Sequence, residues 1–277
     1  MKNISIIGCG AIGTDLALAI DKENIKNAKL VSVFDSQKEK GEGLVKRLKN
    51  KSVTNYTDFK NFYGSLKNEA DVIVECASQQ AVKNYLFDLL KLNKEILLMS
   101  VGALVDKKFL SNIELSAKEH KSTIHIPSGA IAGIDAIKSV KKDIKTINLT
   151  TTKNPQSLSG APFIVNNKID IKKIKNRKVL FSGTADQAVK LFPANINVAA
   201  ILSLSGIGFK KTTVNIVADP KIKINQHEIN VKGDFGELLV TIKNKPSKSN
   251  PKTSHLAILS AIEYLDGLCR DGIKIGT

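Results

Sequence analysis

The feature that most restricts this chain is a set of three spaced glycines, Gly8, Gly10 and Gly13, that follows the apolar stretch "NISII" and runs into the segment "AIGTDLALAID". In that segment Ile12, Leu16, Ala19 and Ile20 recur at helical spacing. A glycine loop between a buried strand and a helix is the phosphate-binding turn of a dinucleotide site. Gly8 permits the tight turn, Gly10 lets the backbone approach a pyrophosphate, and Gly13 lets helix and strand pack closely. Ala11 and Ile12 belong to the same cofactor-binding loop, where the helix start offers unpaired N–H groups and a positive dipole end. Asp35 closes the next strand, "KLVSVFDS", where its carboxylate can accept from ribose hydroxyls. A carboxylate there repels a ribose 2′-phosphate, so NAD is favoured; Ser36, Lys38 and Lys40 soften that preference and leave NADP open.

The strand and helix rhythm continues. "KEKGEGLVKRLKN" suits a surface helix, "ADVIVECAS" a buried strand, "QQAVKNYLFDLLKLN" a helix, "EILLMSVGAL" a strand, "DKKFLSNIELSAKEH" a helix and "STIHIPSGA" a strand ending in a turn. Alternation of this kind predicts an α/β domain with a doubly wound parallel (Rossmann) sheet and right-handed crossovers. "VIVECAS" brings Ala77 and Ser78 to the carboxyl edge of that sheet, where small residues let a cofactor lie close. Glu75 beside them suits a structural hydrogen-bonding role as well as a role in the site.

After about residue 130 a helix, "AIAGIDAIKSV", leads into successive strands, "TINLTTTK", "KVLFSG", "KTTVNIVADP", "IKINQHEINVKG" and "GELLVTIKN", with "TADQAVKLF" a helix among them. Strands in series predict an α+β layer with a mainly antiparallel sheet. Length points the same way, since 277 residues exceed what one core commonly serves. The expected organisation is a dinucleotide-binding Rossmann domain over 1–127, an α+β substrate and dimerisation domain over 128–253, and a C-terminal helix over 254–277 that packs back on the first domain.

Composition narrows the partners. The net charge of +16 is nearly all lysine, Arg47, Arg177 and Arg270 being the only arginines, and it is spread without a dense block. Aromatics make up 5%, and none interleave with the basic residues as a stacking motif. A lysine-rich solvated surface is favoured over specific nucleic-acid binding. No apolar run approaches a bilayer span, and "MKNISIIGCG" lacks signal-peptide architecture, so the expectation is a cytoplasmic protein without membrane contact. Cys9, Cys76 and Cys269 lie far apart without metal spacing, so no metal is expected and the thiols read as small buried hydrophobes.

Along its whole length the chain resembles the archaeal and bacterial L-aspartate dehydrogenases. The resemblance is carried, in order, by "IGCGAIG", "VIVECAS", "LMSVGAL", "IPSGAIAGIDAI", "LFPANINVAAILSLSG", "HEINVKGDFGEL" and "NPKTSHLAILSAI". It implies reversible oxidative deamination of aspartate to iminoaspartate, then oxaloacetate and ammonia, with hydride passing to NAD(P), a homodimer, and a link to nicotinamide cofactor biosynthesis.

The resemblance also implies roles for single residues. The family's active-site histidine falls on His227 by its "HEI" context, and an imidazole suits proton handling at the amine and the attacking water. Without the resemblance, a histidine in "KINQHEINVKG" reads as an exposed loop or strand residue. The family's cofactor contact at "PSGAIAG" maps onto Ala130, where a helix cap serves equally well. In "LFPANINVAAILSLSG", Asn195 is placed to cap a helix and stands among the substrate-binding candidates, while Asn197 lies in the first turn as the cofactor-binding asparagine. Thr253 and Ser254 form a capping pair before the last helix that is also a candidate substrate contact, with capping the stronger reading. Lys153, after a strand and beside a glycine and serine loop, is a candidate cation for the substrate carboxylates.

Two other classes remain open. A homoserine dehydrogenase-like enzyme has the same needs, whereas a dihydrodipicolinate reductase is disfavoured because no two histidines are adjacent. A non-catalytic dinucleotide sensor would bind cofactor without turnover and tolerate loss of His227.

Overall fold

The computed structural model describes residues 1–193, 197–247, 250 and 253–273. The chain divides into two compact units, Met1–Pro127 together with the chain from Ile258, and Ser128–Ala257.

In the first unit the glycine loop joins β1 (Lys2–Ile7) to α1 (Ala11–Asp21). There follow β2 (Ala28–Phe34), α2 (Lys38–Arg47), β3 (Thr54–Tyr56), α3 (Phe59–Glu69), β4 (Val72–Glu75), α4 (Gln79–Leu90), β5 (Glu95–Leu98), α5 (Lys107–Glu119) and β6 (Thr123–His125). The strand order is β3-β2-β1-β4-β5-β6, with every pairing parallel. This is the doubly wound sheet that the alternation requires, with β3 and α3 added to the elements read from periodicity. Asp58, Ser78 and Asp106 cap α3, α4 and α5 by accepting from the amides of Asn61, Ala81 and Phe109. Each cap satisfies an amide that the helix start leaves unpaired.

On one face of the sheet, Ile4, Ile6, Val72 and Val74 pack with Leu16 and Ile20 of α1. Ala261, Leu265 and Cys269 of the last helix, α10 (His255–Cys269), complete that core. Asp266 also accepts from the Lys26 amide at 2.9 Å. His125 joins Glu95 to the same helix, its Nε2 meeting Glu95 Oε2 and its Nδ1 meeting the Tyr264 hydroxyl at 3.0 Å. The other face carries aromatics: Phe34 stacks on Phe62 at 5.4 Å, and Tyr85 on Phe59 at 3.9 Å. The three cysteines are free and buried. Among the described residues no helix is long and apolar enough to cross a membrane, and no group of three or more His, Cys, Asp or Glu side chains is placed to hold a metal.

The second unit contains α6 (Ile134–Ser139), β7 (Ile144–Lys153), α7 (Pro162–Asn166), β8 (Lys178–Thr184), α8 (Ala185–Leu191), α9 (Asn197–Ser205), β9 (Thr212–Ala218), β10 (Asn225–Gly233) and β11 (Gly236–Asn244). Its sheet runs β11-β10-β7-β9-β8. β7 and β9 are parallel and the other three pairings antiparallel, so the sheet is mainly antiparallel as expected. The parallel pair needs a crossover, which the stretch from α7 to α9 provides.

α6 starts later than the expected Ala130. Gly129 and Gly133 both sit in the left-handed region, at φ 65° and 76°, so the chain turns twice before the helix begins. A side chain is strained in that conformation, which is why these turns fall on glycines.

Candidate active site

The first unit builds a cradle from three loops at the carboxyl ends of its strands. Gly8 has φ 99°, and a Cβ there would stand 2.6 Å from the Ala77 Cα, so the β1 and β4 loops touch through backbone alone. A Cβ on Gly13 would stand 1.9 Å from the Gly8 carbonyl oxygen, which holds the start of α1 against the loop. At Gly10 a Cβ would meet nothing within 4 Å. None of the described residues fills that space, and Gly10 precedes a helix of 11 residues without a side-chain cap. A free helix start facing open space is what a pyrophosphate requires.

Asp35 is built into this loop. Its Oδ2 accepts from the Cys9 amide at 2.8 Å and its Oδ1 from the Gln37 amide at 2.9 Å. The carboxylate therefore has a fixed position with lone pairs to spare. It borders a cleft of about 200 Å³ whose walls include Phe34, Ser36, Ala77, Ser78, Asn84 and Tyr85. The residues of α4 in this wall were missed in the sequence, although Ala81 and Tyr85 stand one helical turn apart, as Gln80 and Asn84 do. Among the sequence candidates, Gly8, Asp35, Ala77 and Ser78 line the cleft. Gly10, Ala11, Ile12 and Gly13 form the turn and helix start beside Gly8.

Glu75 holds the loops behind the cradle. Its Oε1 accepts from the amides of Ala77 (2.9 Å) and Ser78 (3.1 Å) and from the Ser100 hydroxyl (2.9 Å), and its Oε2 from the Ser100 amide at 3.0 Å. The carboxyl is 2% exposed. Burial pushes it up to about 7, against the pull of those donors. Of the two roles left open for Glu75, the contacts describe a strut.

The second unit carries a different constellation. On one face of its sheet, Ile147 and Leu149 of β7, Ile229 and Val231 of β10, and Val214 and Ile216 of β9 are buried apolar side chains. Toward one end of that face the alternation keeps its parity but changes chemistry. Thr151 and Lys153 follow Leu149 on β7, His227 and Asn225 precede Ile229 on β10, and Asn244 on β11 pairs with Asn225. All five are buried: Thr151 to 1% exposure, Lys153 to 5%, His227 to 3%, Asn225 to 6% and Asn244 to 3%.

His227 is thus an inward residue within a strand, not an exposed one, and the bland reading of its sequence context fails. It pairs with Thr151 across the ladder, and Thr151 Oγ1 lies 3.0 Å from His227 Nδ1. Burial, reinforced by the charge of Lys153, lowers the imidazole to about 3. Burial alone lowers Lys153 to about 8. Asn244 Nδ2 donates to the Ala130 carbonyl at 2.8 Å and so ties the loop before α6 to the same end of the sheet. Motif and spacing do not single out Thr151, Asn225 and Asn244; the signal they leave is polar residues at core parity in strands whose neighbours are apolar.

The remaining candidates fall elsewhere. Asn197 is exposed and opens α9, while Asn195 lies outside the described residues. Thr253 makes backbone hydrogen bonds to Asn250 and Ser247. Among the described residues the buried Ser254 Oγ has no hydrogen-bond partner, so it does not cap α10; the backbone bridge to Pro246 fixes this segment instead.

Comparison with known proteins agrees with both halves. The family profile "Homoserine dehydrogenase, NAD binding domain" matches residues 8–127, and "Aspartate dehydrogenase, C-terminal" matches residues 135–268. The chain is 47% identical to L-aspartate dehydrogenase of Nitrosopumilus maritimus and 45% identical to that of Methanococcoides burtonii, each alignment covering 100% of both chains. The crystal structure of aspartate dehydrogenase from Thermotoga maritima superposes with a TM-score of 0.78 at 29% identity, again over 100% of both chains. With full-length relatives at this identity, and a glycine cradle and a buried histidine site on the matching folds, the chain belongs to the L-aspartate dehydrogenase family.

Proposed function

We propose that this chain is an NAD(P)-dependent L-aspartate dehydrogenase, oxidising the CH–NH₂ group of aspartate to iminoaspartate, which water converts to oxaloacetate and ammonia in a reversible reaction. The observation that carries the reading is the buried polar end of the second sheet, where His227, Thr151 and Lys153 interrupt an apolar face. Burying such groups costs stability, and a site for chemistry is the reason to keep them. The open space at Gly10 and the fixed carboxylate of Asp35 fit a dinucleotide, whose nicotinamide supplies the hydride acceptor when bound. Gly8, Gly10, Ala11, Ile12 and Gly13 cradle its phosphates, Asp35 its ribose, and Ala77 and Ser78 the neighbouring wall. Ala130 and Asn197 are its further contacts by family position. The substrate-binding group is Lys153, with Asn195, Thr253 and Ser254 as outer candidates.

His227 enters the reaction as a neutral imidazole, able to donate or accept a hydrogen bond at the imine and at the water that adds to it. NAD is preferred over NADP. Asp35 is held by two amides and cannot turn away from a 2′-phosphate, while Lys38 is engaged with Glu42 at 3.7 Å. Buried free thiols suit a reducing, cytoplasmic setting. A homodimer is supported by the other face of the second sheet, where Leu239 is 71% and Val179 53% exposed on opposite edge strands. Supply of iminoaspartate to nicotinamide cofactor biosynthesis follows from family position alone.

Reduction of NAD and NADP is followed by absorbance with aspartate, homoserine and other amino acids. Aspartate with NAD is expected to give the fastest turnover; no aspartate signal above the others overturns the reading. Full turnover in a His227→Ala variant removes its catalytic role, and cofactor binding without any turnover in the parent favours a sensor.

A further inference from the structure

Oxidation at the α-carbon requires that the substrate's ammonium first lose a proton, because the C=N bond forms from the nitrogen lone pair. Resting on the reaction proposed above, we propose that Lys153 is the catalytic base for this step, and that His227 remains neutral beside it, positioned by Thr151.

The register places these groups together. Thr151 and Lys153 are two residues apart on β7 and so share a face; His227 is directly opposite Thr151 on β10, which makes Lys153 its diagonal neighbour. Thr151 Oγ1 engages one imidazole nitrogen at 3.0 Å, so a single ring nitrogen, Nε2, is left for substrate. Burial disfavours an imidazolium here, and the positive charge of Lys153 beside it adds to that effect, so the ring stays in its neutral form. An imidazole lowered to about 3 gives a conjugate acid far too strong to keep a proton taken from an aliphatic ammonium near ~10. The mismatch is about seven powers of ten. A lysine lowered to about 8 narrows it to about two, and at neutral pH about a tenth of it is already amine.

Three other charged groups stand near Lys153 in register. Asp219, just past the β9 residue Ala218 that pairs with Lys153, accepts from the Lys221 amide at 2.9 Å. Glu228, next to His227 on β10, has the opposite parity and faces the other side of the sheet. Lys178 of β8, paired with Ala218 from the far side, is exposed.

The step balances within the two molecules. The Lys153 Nζ lone pair forms a new N–H bond with one substrate ammonium proton, the N–H bond it came from breaks, and its electron pair stays on the substrate nitrogen. Lysine then carries the charge that the substrate has lost. In the reverse direction the lysine ammonium returns the proton to the newly formed amine.

The test compares the parent with K153R and K153A in aspartate oxidation, following kcat and KM against pH, with dinucleotide binding and succinate binding as controls for an intact site. The parent kcat/KM is expected to rise with pH and level off above about 8. K153R keeps the positive charge but cannot serve as a base, so its kcat is expected to fall ~10²–10⁴-fold while dinucleotide and succinate still bind. Primary amines added to K153A are expected to restore turnover, more so as their basicity rises. A K153R variant that keeps kcat within tenfold and changes KM instead overturns the inference in favour of a simple carboxylate grip. Absence of amine rescue in a K153A protein that still binds both ligands overturns it as well. A parent that does not oxidise aspartate refutes the reaction and this inference with it, whereas a parent that turns over together with a fully active K153R refutes the inference alone.

Discussion

Gly10→Ala separates folding from cofactor binding in a way that few substitutions can. Gly10 has φ −73° and ψ −163°, a conformation open to alanine, and the added methyl would find no atom of the described residues within 4 Å. Alanine is a poorer helix N-cap than glycine, but it also restricts the unfolded chain, and these opposing terms are each about 0.5–1 kcal/mol. Stability should therefore change by less than ~1 kcal/mol. The methyl does occupy the space through which a pyrophosphate reaches the amides of α1. Forcing one carbon into a well-packed contact costs about 1–3 kcal/mol. That corresponds to about a 5- to 150-fold weaker Kd for NAD.

Gly13→Ala is the matched control. Its methyl would lie 1.9 Å from the Gly8 carbonyl oxygen and 3.0 Å from Cys76 Sγ, so α1 must move from the loop. The Thr14 bonds to Gly10 O (2.9 Å) and Cys9 O (3.2 Å) would be disturbed with it. Gly13→Ala should lose stability and binding together, whereas Gly10→Ala loses binding alone. Urea denaturation and calorimetric titration with NAD measure the two quantities. Unchanged NAD affinity in a folded Gly10→Ala variant refutes the placement of the pyrophosphate at α1.

Glu75 should give the fold a measurable pH dependence. Its carboxyl is raised from 4.5 to about 7, so the folded state holds the proton more tightly than the unfolded one. This contribution is fully present below about pH 4.5 and is lost as pH rises through 7, for a total of about 3 kcal/mol. Glu75→Gln should flatten that part of the urea midpoint against pH; an identical slope in parent and variant refutes it. Leu265→Ala, at a fully buried position of α10, should cost ~2–5 kcal/mol if that helix completes the first core, as measured by thermal or urea unfolding.

The glycine spacing, the alternation of apolar runs with helical segments and the later series of strands were enough to define the doubly wound sheet and the mainly antiparallel one. These are local signals: periodicity and turn chemistry act over a few residues and need no distant partner. β3 escaped because it is three residues long and carries little pattern. Helical periodicity sets the start of α6 at Ala130, too early, because it does not reveal where glycines turn the chain left-handed. Ser254 illustrates another limit, since a serine before a helix has the sequence of a cap whether or not its hydroxyl reaches an amide.

Local pattern is enough for most of the elements, the fold class and the glycine loop and, through a long series of matching segments, for the family. Which polar residues are buried together follows from strand pairing and packing. His227 looks exposed in its own stretch and Lys153 is one lysine among many. Strand register sets the histidine opposite Thr151 and the lysine diagonal to it. Register depends on pairing between segments 76 residues apart, and so no local pattern could have shown it. The same holds for Glu75, whose four donors come from loops after two different strands. Local chemistry builds the strands, while burial and pairing choose which of their polar groups must work together.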